Sequence, residues 1–156
     1  MQLYPRKLKN ISFVSHDAGG AELISNIAMK ATDYKISVEG PAEKIFERKI
    51  GAFRNYALNE CLFNTKTLIC GTSIPIQNEI EAIQIAQNNN IYSIAVLDHW
   101  ANFERRFVSS NITSLPDEIW VIDTYAQSIA ENLFGHTKVK LIHNSYKEEI
   151  LKKLDL

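Results

Sequence analysis

Six short runs of polar or small residues follow the apolar runs of this chain. They are Ser15-His16-Asp17-Ala18-Gly19-Gly20, Glu39-Gly40-Pro41, Gly71-Thr72-Ser73, Asp98-His99-Trp100, Asp123-Thr124-Tyr125 and His143-Asn144-Ser145. Two of them set a histidine beside an aspartate, His16-Asp17 and Asp98-His99. Imidazoles exchange protons near neutral pH, and a neighbouring carboxylate can orient the ring or stabilise its charged form. His16 or His99 is therefore the expected general base, with Asp17 or Asp98 as its support. The alternatives are plain ones: Asp17 capping a helix, and Asp98 holding loop backbone with His99 partly buried. Neighbours on a strand point to opposite sides, so only a turn would pair Asp98 with His99.

The small residues point to binding. Gly19 and Gly20 let backbone approach a ligand closely, and a helix N-terminus behind them favours an anion such as a diphosphate. Neither the dinucleotide fingerprint GxGxxG nor the phosphate-loop GK[ST] is present. Gly71, Thr72 and Ser73 form a shelf whose hydroxyls can bond a sugar or phosphate, or cap the next helix. Asn144 joins the expected ligand contacts. Arg105 and Arg106 lie near Trp100, Phe103 and Phe107 in a long connection from Asp98 to Pro116. There an arginine fork could hold a phosphate or carboxylate while Trp100 or Phe103 stacks. The competing reading is a short irregular helix with the aromatics in the core and the arginines solvated.

Other chemistries find no support. No CxxC, HExxH or carboxylate cluster argues for a metal, and no GxSxG elbow is present. No cofactor is expected. Cys61 lacks an evident base, and Cys70 sits in an apolar run as a buried thiol. Two cysteines make no disulfide framework, so a reducing cytoplasm is the simplest setting. A net charge of −1 gives no pull toward nucleic acid or an anionic membrane. No apolar run nears the roughly 20 residues of a membrane span. The polar, basic stretch from Met1 to Asn10 does not read as a secretory signal.

Each of these runs needs an element to position it. Apolar strands are expected at 11–15, 34–38, 67–70, 92–97, 118–122 and 139–142. Helical spacing follows in Ala21, Leu23, Ile24, Ile27, Ala28 and Ala31, from Pro41 through Lys49, and in Ile76, Ile80, Ile83 and Ala86. It returns in Ala126, Ile129, Ala130 and Leu133, and in Tyr146, Ile150 and Leu154. The stretch from Ala52 to Lys66 reads as either a short helix or a loop. Alternating strands and helices argue a three-layer α/β, Rossmann-like domain spanning 1–156, with a mainly parallel sheet of about six strands. The order 3-2-1-4-5-6 is expected. The site then falls between the first and fourth strand ends, because all strand ends of such a sheet share one edge.

The run from Ser15 to Ala21, with Gly71-Thr72-Ser73 and Asp98-His99-Trp100, resembles the N-terminal half of GT-B-type enzymes. These are glycosyltransferases and relatives, including nucleotide-sugar hydrolases and epimerases of surface-polysaccharide pathways. The resemblance implies a nucleotide sugar or sugar phosphate as ligand. GT-B enzymes have two Rossmann-like halves and bind the nucleotide mostly in the C-terminal one. A chain with one half implies a partner, either a second Rossmann-like chain or a homo-oligomer. Two alternatives stand beside it: a small standalone hydrolase or transferase, and a non-catalytic nucleotide-binding module.

Overall fold

The computed structural model describes residues 9–75 and 78–154. Ile76 and most of the Met1–Asn10 stretch lie outside the described residues. Strands β1 (Lys9–Ser15), β2 (Asp33–Val38), β3 (Thr67–Cys70) and β4 (Tyr92–Leu97) alternate with helices α1 (Ala18–Ala28), α2 (Pro41–Ile50), α3 (Leu58–Leu62) and α4 (Asn78–Asn88). A 3-10 turn (Glu104–Phe107) and the two-residue strands β5 (Val108–Ser109) and β6 (Ile112–Thr113) follow. Then come β7 (Glu118–Val121), α5 (Thr124–Leu133), β8 (Lys138–Leu141) and α6 (Ser145–Leu154).

The main sheet has six strands, all paired in parallel, in the order β2-β1-β3-β4-β7-β8. The three-layer α/β class holds. The order corrects the one expected from sequence: β3 lies beside β1 rather than outside β2. The reason is at the β2 edge. The chain after α2 folds back along it, Tyr56 N–H bonds Ile36 carbonyl, and the Asn55 carboxamide takes both the N–H and the carbonyl of Val38. That edge is closed, while the wholly apolar run Leu68-Ile69-Cys70 is buried at the sheet centre. The strand order therefore reverses between β1 and β3, and the switch point lies there rather than between the first and fourth strands.

Strand alternation divides the core in two. Phe13, Ile69, Ile94, Val96 and Trp120 pack under α1 and α2. Val14, Cys70, Ala95, Leu97 and Val121 pack under the opposite helices, against Ala82, Ile83 and Ala126. The long connection after β4 is ordered. Phe103 and Phe107 are core residues, and Phe107 meets Phe134 edge-on at 5.3 Å. Ser110 and Asn111, both at positive φ (50° and 62°), turn the β5–β6 hairpin. No helix among the described residues is long and apolar enough to cross a membrane.

Candidate functional site

The turns after β1, β3 and β4 meet over the switch point. Asp17 holds the N-cap position of α1, yet its side chain gives the helix no capping bond. It turns to His16 instead, with Nδ1 to Oδ1 at 2.8 Å. An ionised carboxylate only accepts, so the proton of this bond sits on Nδ1 and Nε2 is the ring atom left to exchange protons. The His16 ring is largely sheltered and lies against Gly40, where a Cβ would stand 2.7 Å from Nε2.

The turn is fixed from below by Glu79. This carboxyl is 2% exposed, accepts the His16 N–H at 3.0 Å, and is gripped at both oxygens by the Ser73 hydroxyl at 2.5 Å. Burial pushes its pKa up, partly opposed by the Ser73 and His16 bonds, and the Asp17 charge pushes the same way as burial. Ser15 Oγ is buried beside it without a hydrogen-bond partner among the described residues. Sequence reading did not single out Glu79. Its signal was periodicity: 79, 82, 83 and 86 form one helical stripe, and the other three are buried Ala82, Ile83 and Ala86. A glutamate on that stripe must be satisfied from within.

Asp98 comes in over the first turn of α1. Its carboxylate lies on the bare Cα of Gly19, and Arg106 Nη1 approaches its Oδ1 at 3.5 Å. Burial raises the Asp98 pKa, and the Arg106 charge offsets part of that rise. The close approach that Gly19 permits is thus taken by a carboxylate of this chain, and Asp17 stands beside it. A diphosphate there would meet two like charges. Gly20 packs on Gly71, and the Thr72 hydroxyl bonds Val96 carbonyl at 3.3 Å.

The residues drawn from the last connections divide. Arg106 is a clamp: it bonds Thr72 carbonyl (2.5 Å), Thr72 Oγ1 (3.0 Å) and Ala101 carbonyl (3.0 Å). Arg105 is exposed and lines a cavity of about 450 Å³ with Ser73 and Glu104. His99 is exposed and its Nδ1 accepts Ala101 N–H, while Asp98 faces Arg106 and Gly19. Phe103 is buried and unavailable for stacking, whereas Trp100 is 55% exposed. Asn144 caps α6 through Lys147 N–H at 2.9 Å, away from the switch point. Cys61 is fully buried with its pKa raised to about 11 by burial. Among the described residues, no group of three or more His, Cys, Asp or Glu side chains is placed to hold a metal ion.

No family model matches the chain, and no curated protein or solved structure matches it.

Proposed function

We propose that this chain acts on a nucleotide sugar or sugar phosphate at the carboxyl edge of its sheet, as the glycosyltransferase-like enzymes its turns resemble would. His16 is the acid–base group of this reading, and Asp17 holds its tautomer. The observation that carries it is the His16–Asp17 bond of 2.8 Å at the β1/β3 switch point, with Asp98 standing over the same turn. Carboxylates accept hydrogen bonds and sugar hydroxyls donate them, so Asp17 and Asp98 suit a sugar better than a bare phosphate. The charged part of the ligand then lies elsewhere along the edge. A second Rossmann-like chain, or a second copy, supplies the other half of the cleft in this reading, and the setting is the reducing cytoplasm.

The test is turnover of a panel of nucleotide sugars and sugar phosphates by the wild type and His16→Asn. Positioned acid–base catalysis contributes on the order of 10²–10⁴-fold, and the variant should lose that factor while keeping its melting temperature. Undiminished turnover in a folded His16→Asn would remove His16 from the chemistry. Binding with no turnover of any panel member would make the chain a binding module.

A further inference from the structure

We infer that a second cavity on the same edge, at the carboxyl ends of β7 and β8, is a nucleotide site in which the base stacks on Trp100 and the phosphate meets Lys147. The cavity holds about 830 Å³, within the ~300–1,000 Å³ usual for small-molecule sites. Its apolar lining comes from Ile122, Leu141, Ile142 and Leu151. Its lip is an indole held in place. Trp100 Nε1 donates to Asp123 Oδ2 at 2.7 Å, and Tyr125 stands edge-on to the ring at 5.9 Å. A half-exposed tryptophan anchored at its polar end is a prearranged stacking surface, since its orientation is fixed before a base arrives.

The polar wall selects the rest of the ligand. Both oxygens of Asp123 and one of Glu148 are engaged within the chain. Asp123 accepts from Trp100 and from Ala126 N–H, and Glu148 pairs with His143 Nε2 at 3.0 Å. Beside them stand donors. Asn144 accepts Lys147 N–H with its Oδ1, its amide N–H groups make no hydrogen bond among the described residues, and the Lys147 side chain is exposed and forms no ion pair among them. Donors and a cation suit base carbonyls and phosphate oxygens. The first turn of α1 offers the opposite chemistry, carboxylate acceptors for hydroxyls. Trp100 belongs to the same post-β4 run as Asp98, so the two sites are neighbours on one edge. A nucleotide sugar would lie with its sugar at His16 and its nucleotide at Trp100. That last step rests on the function proposed above; nucleotide binding at Trp100 does not.

Calorimetric titration with UDP, ADP and GDP tests the site, with ribose 5-phosphate and inorganic phosphate as probes without a ring. At least one nucleoside diphosphate should bind saturably, and the ring-free probes should not. Trp100→Ala should weaken binding about tenfold or more, as loss of one base–aromatic stack does. Lys147→Ala should weaken the diphosphate and leave the matching nucleoside unchanged. His16→Asn should keep nucleotide affinity. No saturation below about 1 mM by any nucleotide, or affinity untouched in both Trp100→Ala and Lys147→Ala, would overturn the site. Nucleotide binding without turnover would defeat only the proposed function, and turnover indifferent to Trp100 and Lys147 would defeat only this inference.

Discussion

At Gly19 the missing side chain is what lets Asp98 reach the α1 turn, for a Cβ would stand 1.8 Å from Asp98 Oδ2. Gly19→Ala must therefore displace that carboxylate from Arg106. We expect a loss of about 1–3 kcal/mol, the usual range for overpacking. The loss should shrink in an Asp98→Ala background, with a coupling of about 0.5–3 kcal/mol between the two sites. Chemical denaturation of the four proteins measures it, and strict additivity would mean the contact carries no energy. Gly40 is constrained differently, with φ at +56° and the His16 ring behind it, so a side chain there is strained and disturbs the imidazole too. Glu79 gives a pH prediction. Its folded pKa is raised above the ordinary 4.5, so in that window the native state binds more protons than the unfolded chain. Stability from this group is present at low pH and is lost as pH rises from 4.5 through the folded value. Glu79→Gln should flatten that fall in a series of urea titrations. Equal slopes for variant and wild type would mean that Glu79 does not titrate there.

Asp123 serves two elements at once. It caps α5 by accepting Ala126 N–H at 2.7 Å and it holds the Trp100 indole at the same distance. Asp123→Ala should cost roughly 1 kcal/mol through the lost cap. It should also free the exposed indole, seen as a drop in fluorescence anisotropy of Trp100 in a Trp120→Phe background. Unchanged anisotropy would show that Tyr125 and the backbone suffice to hold the ring. Helix α6 is set by different forces, since no residue in it is buried. It is tied to α1 and α2 by Lys49, whose side chain is 4% exposed and meets Glu22 at 2.7 Å and Glu149 at 2.9 Å, and by Asn26 to Ser145 at 2.9 Å. Lys49→Ala leaves the Glu22 charge largely buried with only Arg48 beside it. Leaving a buried charge with no partner costs about 3–5 kcal/mol; Arg48 stays with Glu22, so the loss should fall below that range, and the half-exposed Glu149 arm adds little.

Across the whole molecule, stability should grade from the sheet centre outward. Strands β1, β3, β4 and β7 are buried on both faces, whereas α6 hangs on polar ties at one end. Native-state hydrogen exchange should find the slowest amides in those strands and the fastest helical amides in α6, faster still in Lys49→Ala. Protection of α6 equal to that of β3 would contradict this. The gradient matters for function because the proposed nucleotide cavity lies between the rigid ends of β7 and β8 and this loosely held helix. A bound nucleotide should slow exchange in α6 more than in β1.

The sequence by itself determined the elements and the edge. Apolar runs of four to six residues separated by helical stripes allow little but a parallel sheet between helix layers, and such a sheet gathers its strand-end residues on one side. Local patterning cannot rank strand neighbours, however. The tertiary structure decided that β3 lies beside β1, because the strip around Asn55 closes the far edge of β2. It also decided the pairings within the site. His16 meets Asp17 beside it in sequence, but Asp98 meets Gly19 and Arg106 rather than His99, and Glu79 rises from a helix stripe to hold the first turn. Asp123, Lys147 and Trp100 share a cavity only because β7 and β8 are neighbours. Periodicity records which face of an element a residue occupies; which other face it meets depends on how strands far apart in the chain come to lie side by side.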